Sequence, residues 1–541
     1  MSETSKRGAT AGRLMLLGVS LAMAALLVAG AEGLLRVAGI GERDESRLAY
    51  QRVYPPVLEA AGDFLRTADR RLPHQVIRAQ KPHNALRVIT FGASATAGLG
   101  FGPNVTFSRN LERLLVAAYP ERSVEVLNLG IVAVPSSAVR RLVEDACRHY
   151  KPDALVVYAG NNEFMELHSA KYSDFHATPL TRIRDSLLGL NLARLLNGAL
   201  RGRDQGPTLA QQAASQADVR GAERTIMRDI QISDSEIEEV LDSYERNLGR
   251  MVAAAKGTQT PLLLSTVASN WRWQGRSDLG TEWLDSLLGE AAAPTPERYQ
   301  RAITLLDERL EKAARSERHG LLYKRAMAAE ALGDIEAVRR DLRAALNVDP
   351  HLRRALEAGN ARVQRVAERH SVALADVAAD LAAQAPDEII GFDEFYDNVH
   401  FTPRGAMVVA QLFFDALQQA GFAPPSPGFD SSAFAEHRIR EVEARTRDPL
   451  ELGEWMGFGF DTAQLIERDP WKYDRLQGEL DARIEKQPDD FSALVYRANA
   501  RYFRLDGATQ AEADYRAALA LRPNDERVRA NLSRLLSEAR R

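Results

Sequence analysis

Cysteine is all but absent: Cys147 is the single one in 541 residues. That count excludes an intramolecular disulfide and any multi-cysteine metal site. Cys147 falls inside an expected helix, Ser137 to Tyr150, and reads as a small buried hydrophobe. An excess of either charge is also missing. The net charge is -4, charged residues make up 27%, and Lys and Arg are dispersed through helical stretches. With no basic block, nothing marks a nucleic-acid partner.

The first forty residues do carry a signal. Lys6, Arg7 and Arg13 precede a nearly uninterrupted apolar run from Leu14 to Ala31, close to the ~20 residues that cross a bilayer. Positive charge on the amino side keeps that end in the cytoplasm and sends the rest outward. Ala29-Gly30-Ala31 is compatible with a signal-peptidase site. An uncleaved anchor continuing through Glu32 and Leu34-Leu35 is favoured, because the run exceeds a usual signal core. The expected order is a cytoplasmic tail (1–13), a single transmembrane helix (14–37) and a spacer (38–85), with the remainder on the periplasmic side of the inner membrane.

From residue 86 onward, apolar runs alternate with helical patterns. Strands are expected at Val88 to Phe91, Val124 to Leu129, Ala154 to Tyr158, Leu262 to Val267 and Val372 to Val377. Helices are expected at Phe107 to Tyr119, Ser137 to Tyr150, Ile237 to Ala255 and Leu352 to His370. Strands mostly apolar throughout and separated by helices indicate a parallel sheet covered on both faces. Two inserts interrupt it: a polar loop or lid at 165–234, and a helical insert at 295–350. In the second, Gly333-Asp334 marks a turn, followed by Ala337, Leu342, Ala345 and Pro350, which approximates half of a tetratricopeptide repeat. A Pro-rich linker, 423–435, leads to a helical region, 436–541. There Tyr502, Gly507, Ala511, Tyr515, Ala518 and Pro523 repeat the theme, with Pro488 about one 34-residue period before Pro523.

In an open α/β sheet the ligand binds beyond the carboxyl ends of the strands. The loops there carry Ser94, then Asn128-Leu129-Gly130, then Gly160-Asn161-Asn162-Glu163, then Ser269-Asn270-Trp271, and at a distance Asp397-Asn398-Val399-His400. A serine hydroxyl needs an adjacent base to become a nucleophile. An imidazole is suited to that task, which makes His400 the candidate base, and Asp397 can orient the ring and stabilise the imidazolium. Preorganised donors for an oxyanion are available from the backbone N–H groups of Ser94 and Gly130 and from the amide of Asn162.

These blocks resemble the SGNH (GDSL-type) hydrolase family. Gly92-Ala93-Ser94 through Gly98 resembles its first block, Gly130 its second, Gly160-Asn161-Asn162-Glu163 its third, and Asp397-x-x-His400 its last. The resemblance covers about Leu86 to Phe422. It implies a three-layer α/β/α, flavodoxin-like parallel sheet, with the tetratricopeptide-like hairpins and the N-terminal transmembrane helix added. It further implies catalytic Ser94, Asp397 and His400, an oxyanion hole of Ser94, Gly130 and Asn162, and no metal or cofactor. Absence of a Gly-x-Ser-x-Gly elbow argues against the α/β-hydrolase family. The family's first-block Asp is Ala93 here, and its third-block Asp is Glu163. Glu163, Asn270 and Trp271 are candidates for the substrate pocket; the last two can equally just end a strand.

The resemblance implies a serine esterase or acyltransferase acting on acyl esters of glycans or lipids, O-acetyl groups included. The membrane would be met through the N-terminal helix, and a protein partner through the repeat-like helices. The rival class is a binding or assembly protein with this fold and little or no turnover. Asp376 competes with Asp397 for the orienting role, but the Asp-x-x-His spacing favours Asp397. His168 and His176 are expected on an exposed loop. Thr402 is expected to cap a helix that starts at Pro403.

Overall fold

The structure, a computed structural model, describes residues 51–168, 232–273, 282–445 and 470–538 except for a few internal positions, with scattered positions from 20 to 35 and residue 192. These fall into two units, residues 1–52 with 165–230, and residues 53–164 with 231–541. In the first unit, residues 26–35 are helical, with Leu26, Leu27 and Leu34 exposed. Glu32 accepts a hydrogen bond from the Leu192 N–H at 3.1 Å. Much of the expected anchor and nearly all of the 165–234 loop lie outside the described residues. Among the described residues no helix is long and apolar enough to cross a membrane. His168 is buried, not exposed; His176 is outside the described residues.

The second unit is built on a five-stranded parallel sheet: β4 (Ala85–Gly92), β5 (Ser123–Gly130), β6 (Ala154–Tyr158), β7 (Leu262–Ser265) and β8 (Ala373–Ala375), ordered β5-β4-β6-β7-β8. Taken in chain order these are second, first, third, fourth and fifth, the flavodoxin-like arrangement. Leu86 and Val88 of β4, with Ala154, Val156 and Tyr158 of β6, face one core. Ile89 and Phe91, with Leu155 and Val157, face the other. Period-2 alternation thus serves two apolar layers, and each fully buried aliphatic side chain is worth about 1.5–3 kcal/mol.

The first core is covered by α2 (Phe107–Ala118) and α11 (Pro403–Gln419), the second by α3 (Ser136–His149), α4 (Asp234–Gly257) and α9 (Glu357–His370). In α2, Phe107, Leu111, Leu114, Leu115 and Ala118 are buried along one stripe, the spacing of an amphipathic helix. Its Thr106 side chain caps the Arg109 N–H. Ser233 and Glu236 form a capping box at the start of α4. Thr402 caps α11 as its sequence indicates, accepting from Gly405 N.

The insert between β7 and β8 is helical: α5 (Glu282–Leu288), α6 (Pro296–Lys312), α7 (Arg315–Ala331) and α8 (Ile335–Asn347). Small residues Ala326, Ala329, Ala337 and Ala345 are buried where α7 and α8 meet the first core. Gly333, at φ 75°, turns the chain between them, and Asp334 caps α8. After β8 come α10 (Val377–Gln384) and then α11. Beyond α12 (Ser431–Arg445) lie α13 (Pro470–Lys486), α14 (Phe491–Tyr502), α15 (Ala508–Leu521) and α16 (Glu526–Glu538). They share a separate core of Leu494, Ala498, Ala511, Tyr515, Ala518, Val528 and Leu535.

Three expectations need correction. Residues within the expected spacer form an antiparallel sheet, β1 (Leu58–Ala61), β2 (Phe64–Thr67) and β3 (Val76–Arg78). Gly62, at φ 65°, opens the two-residue turn between β1 and β2. Val57, Leu58 and Ile77 join the second core, and Val57 N–H donates to Asp145 Oδ2 at 3.1 Å. The expected linker is docked as well. Ser426 N–H bonds Ala118 O at 2.8 Å, Phe429 and Phe434 pack on the first core, and α12 already starts at Ser431. Lastly, α9 begins at Glu357, not Leu352, because Leu352 takes a left-handed φ of 44° and the Ala355 N–H is bound to Asn161.

Candidate active site

Ser94 opens α1 (Ser94–Ala97), one tight turn at the end of β4. Two glycines make this turn possible. A Cβ on Gly92 would lie 2.0 Å from Thr96 Oγ1 and 2.2 Å from Tyr158 O, and one on Gly130 would lie 2.4 Å from Ala97 N. Gly98, at φ 80°, closes the turn, and the Gly98 and Leu99 N–H groups both donate to Ser94 O, at 3.0 and 3.1 Å. As the first helical residue, Ser94 has no partner for its own N–H within the turn. Ala93, where the family pattern has Asp, is buried in the second core.

His400 is carried on a loop pinned at both flanks. Phe395 and Phe401 form an antiparallel bridge, their rings 4.8 Å apart, and both are buried. Tyr396 N–H donates to His400 O at 3.0 Å, and Thr402 N–H to Glu394 O at 2.9 Å. Gly405 lets α11 approach the loop: a Cβ there would stand 2.1 Å from Glu394 O. Within this frame, Asp397 Oδ1 accepts from Val399 N–H (2.9 Å) and His400 N–H (2.7 Å), and Asp397 Oδ2 meets His400 Nδ1 at 2.6 Å. The opposite ring nitrogen, Nε2, stands 2.8 Å from Ser94 Oγ. With Nδ1–H donating to the Asp397 carboxylate, Nε2 is the acceptor for the serine hydroxyl. Burial pushes the Asp397 carboxyl up, but the neighbouring His400 and the two backbone N–H donors outweigh it and hold the group below the usual carboxylate range.

The other expected site residues are placed less uniformly. Asn162 is half-buried and donates from Nδ2 to Val134 O at 3.2 Å. Gly130 N–H is committed elsewhere: it donates to Asn128 Oδ1 at 2.9 Å, while Asn128 Nδ2 donates to Thr96 O at 2.7 Å. Gln75 adds two bonds of 2.8 Å to the Asn128 backbone. Asn270 is fully buried. Its N–H donates to Asn398 O at 3.0 Å, its Oδ1 accepts from Arg272 N–H at 2.9 Å, and Nδ2 has no partner among the described residues. Trp271 belongs to the first core, with the Arg343 guanidinium 5.7 Å from its ring. Asn270 N–H and Trp271 N–H, the latter bonded to Ile390 O at 3.0 Å, thus tie the end of β7 to the segment that carries His400. Asp376, the rival carboxylate, caps α10 and accepts from Thr266 Oγ1 at 2.7 Å, which places it in a different set of bonds from His400. Among the described residues no group of His, Cys, Asp and Glu could hold a metal ion.

Glu163 is likewise tied into the scaffold. Its carboxyl oxygens meet Ser136 N–H at 2.9 Å and Ser136 Oγ at 2.6 Å, at the start of α3. Burial pushes its pKa up to about 7, against the lowering effect of the two Ser136 bonds. The folded state thus holds this proton through a range where the unfolded chain, titrating near 4.5, has lost it. The contribution of Glu163 to stability then falls as pH rises from about 4.5 to about 7. Glu163→Gln keeps the shape without the proton. The Tm of the variant relative to wild type rises across that window, by at least ~2 °C between pH 5 and pH 8 in thermal melts.

Two residues near the chemistry had no role assigned to them from the sequence. Tyr396 stacks on His400 with ring centroids 5.7 Å apart, and its hydroxyl reaches Leu99 O just past the Ser94 turn. Asn161 Oδ1 accepts from Ala355 N–H at 3.0 Å. The only sequence signal for the first was an aromatic next to Asp397.

No family model matches the chain, and no curated protein does. Solved structures similar to it include LAE5, an alpha/beta hydrolase enzyme from the metagenome of Lake Arreo, Spain, at 16% identity, covering 64% of this chain and 98% of that one, with a TM-score of 0.28. Axe2, an acetylxylan esterase from Geobacillus stearothermophilus, shares 14% identity over 65% of this chain and 98% of its own, at 0.28. A lipase/acylhydrolase from Enterococcus faecalis shares 12% over 64% and 100%, also at 0.28. Ester hydrolases are thus among the structural neighbours. At scores this low they carry no weight for the chemistry, which rests on the residues themselves.

Proposed function

We propose that this chain is a serine esterase or acyltransferase of SGNH type, working through an acyl-Ser94 intermediate. One observation carries the reading: Ser94 Oγ, His400 Nε2, His400 Nδ1 and Asp397 Oδ2 form a continuous hydrogen-bonded chain between residues 306 positions apart. His400 takes the hydroxyl proton as Ser94 Oγ attacks the acyl carbon. Ionised Asp397 offsets the charge that forms on the imidazole. The oxyanion is met by the Ser94 N–H and the Asn162 amide. Collapse of the tetrahedral species expels the alcohol, which receives the proton from His400. Water or an acceptor hydroxyl, deprotonated by His400 in turn, then releases the acyl group.

The substrate class that fits is an ester, O-acetyl groups included, on cell-envelope glycans or lipids. Its support is the membrane-length apolar run Leu14 to Ala31 behind Lys6, Arg7 and Arg13, which would hold the enzyme on the outer face of the inner membrane. The helices of the insert and the carboxyl region, read as tetratricopeptide-like pairs, supply a surface for a protein partner. The test is direct. Membranes containing the full chain hydrolyse p-nitrophenyl acetate, and the activity stays in the pellet after alkaline extraction. Activity released by alkali overturns the anchor; a rate equal to that of membranes lacking the protein overturns the esterase.

A further inference from the structure

The loops that carry His400 and Asn162 are tied to one dipeptide, Arg354-Ala355, where the chain leaves the helical insert and enters α9. Arg354 is 1% exposed. Its Nη1 donates to Asn270 O at 2.7 Å, its Nη2 to Trp273 O at 3.2 Å, and its Nε to Asp349 Oδ2 at 3.1 Å. Asn270 passes the contact on, its N–H donating to Asn398 O, two residues before His400. Trp271 N–H bonds Ile390 O at 3.0 Å at the base of the same loop. The next residue along, Ala355, donates its N–H to Asn161 Oδ1, and Asn161 is buried beside Asn162. From inside the insert, the buried Tyr323 hydroxyl reaches the Trp271 and Trp273 carbonyls.

Burying a guanidinium costs several kcal/mol unless its donors are met, and an apolar side chain would fill the same space at lower cost. What an apolar side chain cannot do is hold two carbonyls and a carboxylate at fixed angles, as a planar fork does. We propose that Arg354 and Asn161 are positioning residues of the active site, through which the exit of the helical insert holds the base loop and the oxyanion loop in mutual register. The insert is therefore a structural part of the catalytic unit. The catalytic half of this inference rests on the esterase reading above; the positional half does not.

Hydrogen–deuterium exchange on the full chain separates the two halves, using Arg354→Lys and Asn161→Ala. Lysine keeps a charge opposite Asp349 but cannot span the Asn270 and Trp273 carbonyls. The expected result is faster exchange in peptides covering 396–401 for Arg354→Lys and 160–164 for Asn161→Ala, with the strands of the sheet unchanged. On p-nitrophenyl acetate each variant loses about tenfold or more in kcat with KM within about twofold, the pattern of misplaced catalytic groups. Wild-type exchange rates in both loops overturn the inference, as does acceleration spread evenly over the whole domain. Should Arg354→Lys fail to fold, Asn161→Ala alone decides. An inactive wild type would sink the esterase reading, while the exchange rates would still decide the positional claim.

Discussion

Ser94→Ala lowers kcat on p-nitrophenyl acetate by about 10⁴–10⁶-fold while leaving Tm close to wild type. The size follows from what the hydroxyl does. Its hydrogen-bond partner across the cleft is His400 Nε2, so removing it deletes the nucleophile and leaves the turn itself, held by Gly92, Gly98 and Gly130, in place. His400→Ala should fall as far, and the double variant little further, because the two act as one device. Asp397→Asn is expected to lose about 10⁴-fold. With its single oxygen accepting the Val399 and His400 N–H groups, the amide turns an N–H donor toward His400 Nδ1, where a carboxylate oxygen had fixed the tautomer. Because the folded Asp397 is held below its usual range, its contribution to stability is present above the unfolded pKa and is lost as pH falls through the folded one.

Asn162→Ala is expected to lower kcat by about 10²–10³-fold with KM nearly unchanged, the cost of one oxyanion donor. The effect should lie at the upper end of that range. Gly130 N–H, the third donor expected from the blocks, is engaged by Asn128 Oδ1, which leaves the Ser94 N–H and the Asn162 amide to meet the developing charge. Steady-state kinetics on the purified chain checks it. A loss confined to KM would mean that Asn162 binds the ester without stabilising its transition state.

The parts legible in the sequence were those whose signal is local. Mostly apolar runs between helical patterns mark all five parallel strands, and Ser94, Asn162, Asp397 and His400 stand in short blocks on the loops that the sheet geometry selects. The parts that were not legible depend on partners far along the chain. Nothing near Gly130 says that its N–H is taken by a side chain two residues back. Nothing near Asn270 and Trp271 says that the insert's Arg354 and Tyr323 hold their carbonyls, so the polar residue after a strand read equally well as cleft lining. Nothing near Glu163 says that both its oxygens are bonded by Ser136, at the start of α3. The β1–β3 sheet was hidden because strands of three or four residues carry too little alternation.

The central claim is that Ser94 is a nucleophile activated by His400. Intact-mass analysis of the full chain after treatment with a fluorophosphonate tests it most directly. The account predicts one covalent adduct, mapped to Ser94, absent in Ser94→Ala and formed far more slowly in His400→Ala. An unmodified wild-type chain, or an adduct on another residue, would contradict it.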